Sequence, residues 1–251
     1  MLFRSLGDEA GSPAERTALL AWWRTELEAC YAGAPRHPVF VALRPTVEAH
    51  GLPIAPFDDL VRAFEQDQVK TRYATWDELV DYCTRSADPV GRLVLGLFGL
   101  GTPERFVLSD RTCTALQIVN HLQDVRRDLL ERDRIYLPSE ATAAIPDFEA
   151  RLRRTAEQGF ACDHAFLAEY RAAVKPLVLR TWALFDEGAG LLPTLTPEAR
   201  PVVRLFADGG QAVLRRIEEW NYETCVHRPT LGKAAKLALV LRAWWGARWA
   251  R

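Results

Sequence analysis

The 251-residue chain carries no surplus of positive charge: 32 Lys and Arg stand against 33 Asp and Glu, for a net charge of −1. A general nucleic-acid binder needs a basic excess to neutralise phosphates, so that class is excluded. Cysteine is sparse and unpatterned. Cys30, Cys83, Cys113, Cys162 and Cys225 form no C-x-x-C pair and share no zinc spacing with the five histidines. Such scattered thiols read as reduced, core-packing residues of a cytosolic protein. A G-x-S-x-G elbow, a Ser-His-Asp order and a G-x-G-x-x-G after a strand signal are all missing, which removes support for nucleophilic hydrolases and nucleotide binders. No apolar run approaches the roughly 18 residues of a spanning helix. The start, MLFRSLGDEAGSP, lacks the continuous apolar stretch of a secretory signal. The expectation is a cytoplasmic protein, soluble or resting on the inner face of a membrane. Alternating strand patterns, repeats and low-complexity linkers are missing as well.

What the chain does have is helical periodicity punctuated by Pro and Gly, with 49% hydrophobic residues to fill a core. Ser12-Pro13 with Glu15 predicts a helix start, and Leu19, Leu20, Trp23, Leu27 and Tyr31 line its apolar face. Further helices are predicted from Pro38 to about His50 and from Phe57 to about Val69. A capping box at Thr75 and Glu78 opens the helix carrying Tyr82, which restarts at Asp88-Pro89. A central helix is expected over about 111–132, then long helices over 147–174 and 176–190. Thr196-Pro197-Glu198 caps another that runs, bending at Gly209-Gly210, to about Cys225. A last helix starts near Thr230. The fold class is therefore all-α, one helical bundle over residues 1–251.

The most informative stretch is Thr114 to Pro138, TALQIVNHLQDVRRDLLERDRIYLP. As a helix it places Gln117, Asn120, His121, Asp124 and Asp128 within an arc of roughly 100°. Ile118, Leu122, Val125 and Leu129 form the packing stripe beside them. Two carboxylates one turn apart, with an amide one turn earlier, suit a magnesium ion shared with phosphate oxygens of a substrate. The same spacing also suits solvated acids paired with Arg126, Arg127 or Arg132. Both readings stay open at this stage. A lone His121 on the polar face is more often structural.

With these residues in view, the chain resembles the squalene/phytoene synthase family. Gln117, Asn120, Asp124, Asp128 and Arg134-Ile135-Tyr136 follow one signature of that family. Tyr82 to Gly91, YCTRSADPVG, follows the other. The ending LFADGGQAVLRRIEEWNYETCVHRPTLGKAAKLAL is family-like too, so the likeness covers nearly the whole chain. SADPVGRLVL, the Gln123-Asp124 pair and HRPTLGK look most like the bacterial hydroxysqualene branch.

The resemblance implies an isoprenoid-synthase bundle around a central cavity. It implies a magnesium-dependent carbon-oxygen lyase that ionises presqualene diphosphate and lets water capture the rearranged cation. Hydroxysqualene and diphosphate would feed squalene and hopanoid synthesis. Joining two farnesyl diphosphates, and a non-catalytic relative that binds an isoprenoid diphosphate or a companion enzyme, are the alternatives. In these terms Asp124, Asp128, Asn120 and Tyr82 are the catalytic candidates. Gln117, Gln123, Arg134 and Arg72 are the substrate-binding ones, and Asp8, Asn120, Asp124 and Asp128 the metal ligands. Arg134 could equally pair with Glu131 or Asp133, and Asp67, Arg72 and Tyr73 sit at a helix end that matches the family's cavity mouth. Val90, Leu93, Leu97, Phe98, Leu116 and Leu122 are expected to line the apolar chamber.

One departure stands out. Family members carry an earlier aspartate-rich motif, two Asp separated by three residues, where this chain has Arg4-Ser5-Leu6-Gly7-Asp8-Glu9. Asp8 takes the second acidic position and Arg4 the first. The expectation is a bundle lacking its first helix, with apolar surface exposed on the neighbours of that helix. At the other end, LVLRAWWGARWAR places Trp244, Trp245 and Trp249 among arginines. That suits either a helix lying at a lipid interface or tryptophans packed on the bundle.

Overall fold

A computed structural model describes residues 11–161 and 163–248. Among them, helices α1 (Pro13–Tyr31), α2 (Pro38–His50), α3 (Ala55–Gln66), α4 (Trp76–Ser86) and α5 (Asp88–Leu97) make the first half. They are followed by α6 (Pro103–Gln123), α7 (Val125–Arg132), the single-turn α8 (Ser139–Thr142) and α9 (Phe148–Gln158). The long α10 (His164–Gly188), α11 (Ala199–Glu219) and α12 (Lys233–Arg248) complete the order. No strand forms among the described residues; one isolated parallel bridge joins Arg72 to Ile135. The chain is all-α, as its periodicity predicts.

Local signals set most helix starts. At α1 the Ser12 hydroxyl accepts from Glu15 N–H while the Glu15 carboxylate accepts from Ser12 N–H, a reciprocal cap, with Pro13 at the first helical position. Trp23, Leu27 and Cys30 then bury together against Phe40 and Val61, a satellite core. Thr75 caps α4 through Glu78 N–H, as predicted. The predicted restart at Asp88-Pro89 also occurs, Ala87 leaving helical geometry at φ −132°.

The bundle is organised around α6, which packs most extensively on α10 and is flanked by α5 and α11. Ile118 and Leu122 of α6 meet Phe166, Tyr170, Val174, Val178 and Phe185 of α10, with Leu214 and Ile217 of α11, in one continuous core. Close approach there depends on Gly188. A Cβ at that position would stand 2.2 Å from the Thr112 hydroxyl and 3.0–3.1 Å from α6 backbone atoms. Gly188→Ala is therefore expected to cost about 1–3 kcal/mol, because backbone cannot swing aside as a side-chain tip can. Urea unfolding that shows no loss would refute that close approach.

Several boundaries differ from the sequence expectation, each for a physical reason. The central helix begins at Pro103 behind a Thr102 cap and is re-aimed at Asp124, where φ is −102° and ψ 10°. Hydrogen bonding continues through the bend: Asp124 N–H reaches Asn120 and Asp128 N–H reaches Asp124. The expected break at Pro176 does not occur. The chain breaks instead at Gly159, at φ 62° and ψ −131°, and restarts where the Asp163 carboxylate accepts from Ala165 and Phe166 N–H. Pro176 stays inside α10. An interior proline costs about 3 kcal/mol, and buried Val174, Leu177 and Val178 around it offset that at about 1.5–3 kcal/mol each.

The bend expected at Gly209-Gly210 is absent, since α11 runs through it; a Cβ on Gly210 would meet Leu116 at 2.3 Å and the Phe185 ring at 2.9 Å. Helix α11 also ends at Glu219 rather than near Cys225, because Asn221 and Tyr222 take positive φ. Arg4 and Asp8 lie outside the described residues, as do Cys162, Trp249 and the side chains of Trp244 and Trp245. Among the described residues no helix is long and apolar enough to cross a membrane.

Candidate active site

The bend in the middle of the bundle decides where the polar side chains go. Gln117 and Asn120 on the last turns of α6, Asp124 at the bend and Asp128 on α7 line one wall of a cavity of about 320 Å³. Leu60, Ala63 and Phe64 of α3 with Tyr82 and Ser86 of α4 line it further, as do Asp67, Arg134 and Tyr136 from the connecting segments. Asp124 and Asp128 are 5% and 7% exposed, so these acids are buried in a cavity wall and not solvated on a surface.

Their charge is answered by arginines. Arg127 donates to Asp124 at 2.5 Å and to Asp128 at 3.4 Å, and Arg132 reaches Asp128 at 3.3 Å. Arg228, from the segment after α11, donates through Nε to the other oxygen of Asp124. Burial pushes the Asp128 carboxyl above its ordinary range; the Arg127 charge opposes this, the Asp124 charge adds to it and Arg132 opposes it. Arg127, Arg132, Arg134 and Arg228 all line the cavity beside the acids. That density of fixed positive charge suits a multiply charged anion, for which Arg supplies charge-assisted hydrogen bonds.

The opposite end of the cavity is built on Asp67. Its two carboxylate oxygens accept from the Tyr82 hydroxyl at 2.9 Å and the Tyr136 hydroxyl at 3.1 Å, and its carbonyl accepts from Arg134 at 2.9 Å. Arg134 Nη1 also stands 3.9 Å from the Asp67 carboxylate. The Tyr136 ring stacks on His121 with centroids 3.7 Å apart, and Tyr73 stacks on Tyr136 at 5.6 Å. Burial, reinforced by the Asp67 charge, raises the Tyr82 and Tyr136 phenols far above their ordinary range, so both stay protonated donors.

Six of the sequence candidates thus converge: Asp124, Asp128, Asn120, Tyr82, Gln117 and Arg134 all line the cavity. Two do not. Gln123 is buried behind the wall, where its amide donates to the Pro229 carbonyl and accepts from Arg228 at 3.3 Å. It places Arg228 and does not itself face the cavity. Arg72 is turned outward, held by Glu149 at 3.0 Å and Asp133 at 3.1 Å, because the Arg72–Ile135 bridge points it away from the bend. Asp8 falls outside the described residues.

The apolar expectations also need correction. Leu122 belongs to the packed core, and Leu97 and Phe98 are exposed. Val90 and Leu116 do line an apolar compartment of about 100 Å³ with Val94, Leu95, Leu191 and Phe206, between α5, α6 and α11. Sequence reading missed the cavity roles of Arg127, Arg132, Arg228 and Ser86. Arg127 and Arg132 carried a signal, their helical spacing from the acids. Arg228 lies more than a hundred residues from Asp124, and its one signal was its place in the family-like run HRPTLGK.

Magnesium is implied by the resemblance. Among the described residues no three His, Cys, Asp or Glu side chains cluster closely enough to cage a metal. Magnesium does not require such a cage: it commonly takes one or two carboxylates, several waters and the substrate's phosphates. The Asp124 and Asp128 carboxylates with the Asn120 amide are hard oxygen donors on one wall, and they fit an ion shared with a diphosphate.

Comparison with known proteins agrees with this architecture. The sequence profile of the family described as squalene/phytoene synthase matches residues 3–236. A hydroxysqualene synthase of Zymomonas mobilis is 36% identical over 181 residues, 71% of this chain and 57% of that protein. A phytoene synthase of Arthrospira platensis is 37% identical over 156 residues, 57% of this chain and 50% of that protein. The chain thus spans little more than half the length of these relatives. The crystal structure of squalene synthase HpnC from Alicyclobacillus acidocaldarius superposes with a TM-score of 0.75 at 41% identity, covering 88% of this chain and 79% of that one.

Proposed function

Because the chain belongs to the squalene/phytoene synthase family, a family of isoprenoid synthases, we propose that it is a hydroxysqualene synthase acting on presqualene diphosphate. The observation that carries this reading is the buried pair Asp124 and Asp128 ringed by Arg127, Arg132, Arg134 and Arg228, with an apolar compartment close by. The arginines hold the diphosphate oxygens and lower the cost of its departure. Asp124, Asp128 and Asn120 would hold magnesium, whose charge would make the diphosphate a better leaving group. Leu95, Leu116 and Leu191 of the apolar compartment shelter prenyl chain from water, which limits early hydration of the cation. The faces of Tyr82 and Tyr136 offer the passing positive charge an electron-rich surface. Water then captures the rearranged cation, giving hydroxysqualene and diphosphate.

A second reading, head-to-head joining of two farnesyl diphosphates, draws on the likeness to the Arthrospira phytoene synthase, 37% identical over 156 residues against 36% over 181 for the Zymomonas enzyme. The two separate in one assay. Purified protein is incubated with magnesium and either presqualene diphosphate or farnesyl diphosphate, and the lipids are resolved. Hydroxysqualene from presqualene diphosphate is the expected result. Consumption of farnesyl diphosphate alone would establish the second reading in its place.

A further inference from the structure

We infer that Tyr82 and Asp67 form the proton-accepting pair of the water-capture step, Tyr82 touching the water and Asp67 positioning the phenol and taking its proton. This rests on the hydroxysqualene reading above. When water adds to a carbocation, its oxygen carries one proton too many, and some group must remove it. Of the three buried carboxylates in the cavity, Asp124 and Asp128 are engaged by Arg127, Arg132 and Arg228 at the diphosphate end. Asp67 stands apart from that cluster, both of its oxygens turned to phenols and Arg134 3.9 Å from the carboxylate. It lines the cavity beside the phenols, and a phenol that donates to a carboxylate keeps its own lone pairs for a water.

Two further observations place a water there. The Ser86 hydroxyl lies one helical turn beyond Tyr82 on α4 and lines the same cavity. It is buried without a hydrogen-bond partner among the described residues. A water between Ser86 and Tyr82 would satisfy it, as buried waters commonly satisfy such groups. The neighbouring wall of Leu60, Ala63 and Phe64 offers no competing side-chain hydrogen bond.

The step balances as follows. A lone pair of the water oxygen forms the new C–O bond to the cation, and one O–H bond of that water breaks. Its proton goes to the Tyr82 oxygen while the phenolic proton crosses 2.9 Å to Asp67 Oδ2. The cation and the carboxylate are replaced by a neutral alcohol and a neutral Asp67, and Tyr82 is unchanged. The proton leaves with diphosphate or solvent.

Asp67→Asn keeps an oxygen to accept from Tyr82 and cannot take a proton. The measurement is the ratio of hydroxysqualene to olefins formed by proton loss from the same cation, with presqualene diphosphate and magnesium. This ratio does not depend on how fast diphosphate is released. It should fall at least about tenfold in Asp67→Asn and in Tyr82→Phe, and return most of the way in Asp67→Glu. Ser86→Ala should lower it by about two- to fivefold, through a less well-held water. If Asp67→Asn does not fold, Tyr82→Phe, which keeps the ring packing, carries the same test. A ratio unchanged in both overturns the pair and leaves the departing diphosphate as the base. If the wild-type protein releases diphosphate but forms no alcohol, the hydroxysqualene reading falls and the pair with it. Alcohol from the wild type with an unchanged ratio in the variants sinks the pair alone.

Discussion

Asp124→Asn is expected to lower diphosphate release at least about a thousandfold while leaving the protein folded. A thousandfold is about 4 kcal/mol of barrier, within the range for removing a charged group from a preorganised site. The asparagine has nearly the same shape, but its single oxygen replaces only one of the two that accept from Arg127 and Arg228. What it loses is the negative charge, and with it the charge balance among four arginines and the hold on magnesium proposed above. Both arginines are partly solvent-exposed, at 27% and 46%, so water screens the uncompensated charge and the stability cost stays small. Released diphosphate measured by a coupled assay, beside circular dichroism and a melting curve, checks both halves. Activity within tenfold of wild type would remove Asp124 from the mechanism.

The polar face from Gln117 to Asp128 was legible because a helix converts spacing directly into direction, and all five of its residues line the cavity. The family likeness, not spacing, marks Gln123: on a straight helix it stands about 100° from Asp124, and its amide reaches the Pro229 carbonyl behind the wall. Arg72 misses the cavity for a different reason: a backbone bridge to Ile135, 63 residues on, sets its direction, and no local pattern encodes that pairing. The helices were legible wherever a cap or a proline started them, as at Ser12, Thr75 and Thr102. The division at Pro176 was wrong because tertiary burial of α10 outweighs the intrinsic preference of one residue. Arg228 illustrates the general limit. Two segments a hundred residues apart meet at Asp124 only because α6 and α11 pack side by side.

The last large effect concerns stability and its dependence on pH. Asp88 opens α5, is 4% exposed, and accepts from the Thr114 hydroxyl of α6 at 2.9 Å. Burial pushes its carboxyl up to about 7, and the nearby Asp110 charge adds to the rise; the Thr114 hydrogen bond and the Arg92 and Arg111 charges oppose it. The sign follows from linkage. Below about pH 4 the group is protonated in the folded and the unfolded chain alike, and it costs nothing. Between about pH 4 and 7 the unfolded chain gives up the proton while the native one retains it, so stability falls as pH rises. Above about 7 both forms are ionised and the loss levels off, at an upper bound of about 4 kcal/mol. Asp88→Asn removes the titration and keeps an oxygen for Thr114. It should be more stable than wild type by about 2–4 kcal/mol at pH 8, with the gap closing toward pH 4. Urea unfolding of both proteins across that range measures the difference free of every other titrating group they share. A gap that stays constant with pH, or an asparagine variant less stable at pH 8, would show that Asp88 is held as a charged residue. In that case the positive end of α5 and Arg92 outweigh its burial, and the contact pinning α5 to α6 is an ionic one.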